Sequence, residues 1–130
     1  MKAEVHLSSE DLEQEAVVAW CDLKHIPIVH IPNEGKRSVS YAARLKRMGL
    51  RSGFPDLFVP LARGIYHGLF IEMKYGSGRA SGAQEGWLRL LSREGYAVSI
   101  CYGFDEARHV IEKYLKLSDE KTAGVQVKGN

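Results

Sequence analysis

Apolar positions recur three and four residues apart in several segments of the chain, which is the spacing of one helix face. In the first such segment Ser8 or Ser9 fits an N-cap, because acidic residues follow in the next turn. The predicted helix runs to about Lys24, and its inward stripe consists of Ala16, Val17, Trp20 and Leu23. Glu13 lies one turn before this stripe, whereas Glu15 falls on a more polar side. The pattern therefore predicts an acidic side chain on the inner face of the first helix.

Other segments are β-branched or continuously apolar and predict strands. The run IPIVHIPN is interrupted by Pro27 and Pro32, which is typical of a short or edge strand. Two further strands, DLFVPLA and YHGLFIEMK, follow a turn at SGFP, and a fourth is YAVSICYG. Helical spacing marks SYAARLKRMGL, the residues from about Ala83 to Arg93 with Trp87, Leu90 and Leu91 inward, and FDEARHVIEKYLKL. This order predicts an α/β fold, a mixed β-sheet flanked by helices.

Length and composition fit one globular domain, with 130 residues, 45% hydrophobic and 26% charged. We expect a single domain over residues 1–117 and a frayed or disordered tail over 118–130, where no period is visible. There is no signal-like apolar segment and no apolar run approaching ~18 residues, so we expect a cytoplasmic protein without a membrane span. Cys21 and Cys101 lie in apolar segments and resemble small core residues rather than disulfide or metal partners.

The net charge of +2 conceals an uneven distribution. Between Gly35 and Pro55 there is no acidic residue, and six basic ones occur: Lys36, Arg37, Arg44, Lys46, Arg47 and Arg51. A solvated helix face can carry such charges, but a cluster of cations without acids is also what contact with a phosphate backbone requires. We therefore expect this basic segment, together with Arg79 from the loop YGSGRASG, to contact a polyanion.

Three charged residues interrupt the predicted buried strands. Asp56 begins one strand and Glu72 lies near the end of the next, so an antiparallel hairpin brings both carboxylates to one end of the sheet. Lys74 is two residues from Glu72 and leaves the strand on the same face. Two carboxylates this close repel each other unless a cation holds them, and Mg²⁺ or Mn²⁺ does so with oxygen ligands. With a lysine beside it, such a site is equipped to hydrolyse a phosphodiester.

A simpler interpretation is that Asp56 caps a turn and that Glu72 and Lys74 form a solvent-facing pair. The Pro-Asp start, the apolar LFI before the glutamate, the basic segment and the inward acid coincide here, and together they favour a catalytic site. Gln84, at the start of the next helix, is suited to hydrogen-bond water or a phosphate. His30, with Asn33 and Glu34 in the following turn, could also reach the site, but an ordinary strand and turn is the favoured interpretation for these three.

The segments GFPDLFVP, GLFIEMKY and SGAQEGW resemble the VRR-NUC (virus-type replication-repair nuclease) family of the PD-(D/E)xK nuclease superfamily. The similarity extends over roughly residues 9 to 116, through HIPNEGKRS, RLKRMGLRSGFPD, EGYAVSICYGFDEA and VIEKYL. This combination is specific, whereas a single ExK motif is not. The resemblance implies a restriction-endonuclease-like core and DNA cleavage that depends on Mg²⁺ or Mn²⁺.

The resemblance also implies roles for individual residues. It assigns metal binding to Asp56, Glu72 and the backbone carbonyl of Met73, with Glu13 as a less secure ligand, and catalysis to these acids with Lys74 and Gln84. Lys74 would serve the attacking water, and Gln84 would be the family's glutamine. Glu13 corresponds best to the first-helix acid, with Glu10 and Glu15 as alternatives.

Small stand-alone members of this family, from viruses and bacteria, pair into homodimers and resemble Holliday-junction resolvases in activity. The resemblance thus implies a homodimer acting on four-way DNA junctions in a bacterial or phage-infected cell. A nuclease for flaps or ends is an alternative within the same family. A DNA-binding module without the chemistry is a second alternative, but every position of the motif is filled, which speaks against it.

Overall fold

The computed structural model describes residues 9–32 and 38–118. The predicted elements occur in the predicted order, as helices α1 (Ser9–Leu23), α2 (Val39–Arg47), α3 (Gly82–Arg93) and α4 (Phe104–Leu115) and strands β1 (Val29–His30), β2 (Leu57–Val59), β3 (Leu69–Lys74) and β4 (Ala97–Tyr102). The predicted tail beyond residue 118, and Asn33, Glu34, Lys36 and Arg37, lie outside the described residues. No helix in the described ranges has the length and apolar character needed to cross a membrane.

The four strands form one mixed sheet in the order β1-β2-β3-β4. The β1–β2 and β2–β3 pairs are antiparallel, and β4 joins β3 in parallel after the crossover through α3. Strand β3 is central, and all of its residues except Lys74 are buried. The α/β fold with a mixed sheet flanked by helices is therefore confirmed.

The hydrophobic core lies between the sheet and helices α1 and α4. Val17 and Cys21 of α1 are fully buried there and pack with Ile71 of β3 and Ile111 of α4. Cys101 is also fully buried, and both cysteines are free thiols, as expected.

The predicted inward stripes were wrong at several positions. In α1, Ala16 and Leu23 are exposed. The buried residues of this helix are Val17 and Cys21, and the helix ends at Leu23. In α3, Leu88 is buried with Leu91, whereas Leu90 is 39% exposed. Apolar residues on both sides of a short helix leave its phase ambiguous in the sequence.

Helix α2 stands apart from this core. It has no buried residue, and it packs against no other described helix or strand. Ser38 caps it by accepting a hydrogen bond from the backbone N–H of Tyr41, at 3.1 Å. The helix lies in the connection between β1 and β2, which returns to the sheet just after Asp56.

Candidate active site at the carboxyl end of the central strand

The antiparallel register of β2 and β3 brings Asp56 beside Glu72. Leu57 pairs with Ile71, so the residue before Leu57 lies across from the residue after Ile71. Both carboxylic side chains are buried, with exposures of 7% for Asp56 and 1% for Glu72. The Oδ2 atom of Asp56 accepts a hydrogen bond from the backbone N–H of Met73 at 2.8 Å. The hairpin thus holds two acids together at the end of a buried strand.

The electrostatics of Asp56 reflect this burial. Removal from water raises the pKa of Asp56 above its ordinary value of 3.8. The Met73 N–H, a hydrogen bond with Glu72, and electrostatic interactions with His30 and Lys74 lower the pKa, but they offset the burial only in part. Two neighbouring acids in a partly dehydrated site favour an additional positive charge between them.

Lys74, Gln84 and Glu72 form a hydrogen-bonded network. The Nζ of Lys74 donates to Oε1 of Gln84 at 2.9 Å, and Nε2 of Gln84 donates to Oε2 of Glu72 at 2.9 Å. Lys74 Nζ also lies 3.6 Å from Oε2 of Glu72, and its side chain is only 14% exposed. The amide of Gln84 therefore connects the ammonium group and the carboxylate and orients both.

The position of Gln84 is set by the start of α3. Ser81 is the N-cap, and its hydroxyl accepts from the backbone N–H of Gln84 at 3.2 Å. In return, Gln84 Oε1 accepts from the backbone N–H of Ser81 at 2.8 Å, which completes a capping box. The amide of Gln84 thus contacts Ser81, Lys74 and Glu72, and its predicted contact with water or phosphate stays a prediction.

The turn that precedes Asp56 is packed against the same end of α3. Trp87 Nε1 donates to the carbonyl of Ser52 at 3.2 Å, and its ring meets Phe54 edge-on at 5.1 Å. Gly53 has φ +84°, and a Cβ there would lie 2.8 Å from the Cβ of Ala83. Only glycine fits this close approach, so the glycine of SGFP is required to dock the turn on α3.

The backbone carbonyl of Asp56 contacts β1 and the residue after it. It accepts from the N–H of Ile31 at 2.8 Å, and His30 Nδ1 lies 2.9 Å from the same oxygen. Gln14 of α1 in turn lies 3.1 Å from His30 Nδ1 through its side-chain amide. The favoured interpretation of His30 as an ordinary strand residue missed this contact, and Gln14 gave no signal beyond its place beside Glu13.

Glu13 faces inward, but it reaches the start of α4. Its Oε1 accepts from the backbone N–H of Phe104 at 2.6 Å. The N-cap of α4 is Gly103, which supplies no side-chain cap. Among the described residues no group of three or more His, Cys, Asp or Glu side chains is placed so that it could hold a metal ion. The observed contact of Glu13 is that of a helix cap.

The basic residues of the predicted DNA-binding set are exposed wherever the structure describes them. Arg44, Lys46 and Arg47 occupy the last turn of α2. The guanidinium of Arg51 donates to the backbone carbonyl of Lys46 at 3.0 Å, which connects Arg51 to the last turn of α2. Arg79 lies in the loop between β3 and α3, which Tyr102 holds through a 2.8 Å hydrogen bond to the carbonyl of Gly78.

The donors at this site fit a hard divalent cation. Asp56 and Glu72 offer neighbouring carboxylate oxygens, and ions such as Mg²⁺ keep several waters beside one or two carboxylates. The N–H and C=O of one strand residue face the same neighbouring strand, so the Met73 carbonyl faces the side on which Asp56 lies. The two carboxylates and this carbonyl are the kind of oxygen ligands that such an ion takes.

The fold and this site define an α/β nuclease domain. Residues 8–105 match the family model of the VRR-NUC domain. A solved structure described as a VRR_NUC domain protein is 36% identical, with a TM-score of 0.74, and the match covers 88% of this chain and 93% of that one. No curated protein matches the sequence. The chain belongs to the VRR-NUC family of nucleases.

Proposed function

We propose that this protein is a divalent-metal-dependent DNA endonuclease that resolves branched DNA, with four-way junctions as its main substrate. The observation that carries the chemistry is the adjacency of two buried acids and a lysine at one strand end, connected by Gln84. Burial of an acid pair carries a desolvation cost that apolar residues of similar volume avoid, and this cost favours a functional reason for the pair.

In this proposal, Asp56, Glu72 and the carbonyl of Met73 hold Mg²⁺ or Mn²⁺. When bound, the ion polarises a phosphate oxygen and makes a nearby water more acidic. The ammonium group of Lys74 donates one N–H to Gln84 and has further N–H donors. These orient the attacking water or neutralise the charge that develops on the phosphate. Gln84 acts as a positioning residue, since its amide holds both the lysine and Glu72.

Helix α2 is proposed as the main DNA-binding element. It has no buried residue, and its last turn presents Arg44, Lys46 and Arg47 without a neighbouring acid on the helix. In the sequence, Arg51 precedes Asp56 and Arg79 follows Lys74, so basic residues flank the acidic ones on both sides. Lys36 and Arg37 belong to the same basic segment as α2. A phosphate backbone is the partner that such a charge distribution fits.

Cleavage of a four-way junction requires two cuts at symmetry-related positions. One active site per chain cannot make both cuts at once, and a C2 homodimer supplies two sites on one substrate. We therefore propose a homodimer in solution. A flap or end-directed nuclease would need only one site, so the oligomeric state and the number of cuts separate these functions.

The deciding experiment compares labelled four-way junction, flap, duplex and single-stranded DNA with Mg²⁺, with Mn²⁺ and with EDTA. We expect paired nicks in the junction, no cleavage in EDTA, and loss of cleavage but retained DNA binding in Asp56→Ala and Glu72→Ala. Preferred cleavage of flaps by a strict monomer would replace the resolvase proposal with that of a flap nuclease. Binding without cleavage of any substrate in either metal would favour the DNA-binding module.

A further inference from the structure

The main chain of Asp56 is fixed by a side chain as well as by the sheet. β2 begins at Leu57, so Asp56 lies just before the regular pairing of β2 with β3. Its carbonyl oxygen accepts from the N–H of Ile31 at 2.8 Å and lies 2.9 Å from Nδ1 of His30. Because a carbonyl oxygen can only accept, the second contact requires that His30 Nδ1 carries the hydrogen.

This requirement also determines how Gln14 is oriented. The Nε2 atom of Gln14 lies 3.1 Å from Nδ1, but two N–H groups cannot form a hydrogen bond with each other. A 180° rotation of the amide exchanges its nitrogen and oxygen and satisfies the Nδ1–H donor. With Oε1 in that place, Nδ1–H is shared between Gln14 and the carbonyl of Asp56.

We propose that His30 is a positioning residue that fixes the backbone of Asp56, and that Gln14 of α1 orients His30 for this purpose. The inference rests on the proposed function, since it takes Asp56 as a metal ligand. The carboxylate of Asp56 is held from the front by the N–H of Met73, at 2.8 Å. His30 and Ile31 hold the same residue from behind, so its oxygens are directed before any ion arrives.

The short length of β1 explains why a side chain is needed. β1 has two residues, Val29 and His30, and it is an edge strand of the described sheet. Its pairing with β2 consists of Val29 with Phe58 and His30 with Leu57, which leaves Asp56 beyond the last pair. Groups that orient metal ligands from behind typically change metal affinity or activity by about 10- to 100-fold when removed.

The test measures metal affinity rather than cleavage. The thermal unfolding temperature of the purified protein is followed while Mn²⁺, and separately Mg²⁺, is titrated. In His30→Ala we expect the metal concentration for half of the stabilisation to rise about tenfold. His30→Asn places an amide N–H near the former Nδ1 and is expected to restore most of the affinity, and Gln14→Leu is expected to show a smaller loss. His109→Ala, an exposed histidine on α4, is the matched control and should titrate like the parent.

A purely structural role for His30 gives a different result, namely a lower unfolding temperature without metal and an unchanged titration midpoint. That result, or an Asn variant no better than the Ala variant, overturns the positioning role while the proposed function stands. If neither ion stabilises the parent protein, Asp56 is not a metal ligand, and the proposed function falls together with this inference.

Discussion

The Nζ of Lys74 donates a hydrogen bond of 2.9 Å to Oε1 of Gln84, a residue on the following helix. The same amide donates to Glu72, so one neutral side chain sets the distance between the ammonium group and the acid. Its own position is fixed by the capping box with Ser81. The start of α3 therefore holds the proposed catalytic groups in place.

Replacing Gln84 should impair cleavage without removing any charged group. In Gln84→Ala, Lys74 loses its acceptor and Glu72 its donor, and we expect cleavage to fall about 10- to 100-fold. The broken capping box should also lower the free energy of unfolding by about 1 kcal/mol. Ser92→Ala, on the exposed side of the same helix, is the control. Unchanged single-turnover rates in Gln84→Ala would show that Lys74 and Glu72 are positioned by other groups.

Lys74 should not be replaceable by arginine. The side chain of Lys74 is only 14% exposed, and its ammonium group lies between Gln84 and Glu72. A guanidinium keeps the charge but is larger and planar, so Lys74→Arg should lose most cleavage activity while DNA affinity stays close to that of the parent. Cleavage rates and filter binding measure the two effects separately. If Lys74→Arg and Lys74→Met both cut like the parent, the lysine has a structural role only.

Glu13 should contribute to stability through the start of α4. Glu13→Ala removes the acceptor of the Phe104 N–H, and such a loss typically costs about 1 kcal/mol. Glu13→Gln keeps an oxygen in that place, so its loss of stability should be smaller and its cleavage activity should persist. Glu15→Gln, an exposed change on the same helix, serves as the control in urea unfolding and cleavage assays. A stable but inactive Glu13→Gln protein would return Glu13 to the catalytic groups.

The sequence predicted the fold because each strand has a strong local signal. Strand β3 begins with the apolar run LFI, and the hairpin that brings Asp56 beside Glu72 follows from two neighbouring strands and a short loop. The contact between Glu13 and Phe104 could not be predicted, because the two residues are 91 positions apart and their meeting depends on how α1 packs on α4. The contact of His30 with the Asp56 carbonyl could not be predicted for a similar reason, because it depends on the register of β1 on β2.

Asp56 should destabilise the metal-free protein at neutral pH. Burial raises its pKa above the ordinary 3.8, so the folded state holds the proton more tightly than the unfolded state does. The free energy of unfolding therefore falls as pH rises from about the ordinary pKa through the raised one, and the deficit persists above both. Asp56→Asn should be more stable than the parent at pH 7 without metal and similar to it at pH 3.

Metal addition should reverse this order, because only the parent can bind the ion through both carboxylates and gain the full stabilisation from it. Thermal unfolding at several pH values, with EDTA or Mg²⁺, measures both effects. If the parent is the more stable protein in EDTA at pH 7, the ionised carboxyl of Asp56 is stabilised by its surroundings and carries no such penalty.

The last prediction concerns α2 and salt. DNA binding should weaken steeply as salt rises, because each phosphate that is neutralised releases counterions. The double variant Arg44→Ala, Arg47→Ala should reduce the slope of log affinity against log salt by about 0.9 for each phosphate that is no longer neutralised. Its unfolding temperature should stay unchanged, since α2 has no buried residue.

The control for this prediction is the double variant Arg93→Ala, Lys113→Ala, which removes the same charge from the last turns of α3 and α4. The opposite ends of these helices lie at the site, so this variant should leave the slope unchanged. Equal slopes for the two double variants would mean that DNA follows another surface and that α2 carries solvated charges only.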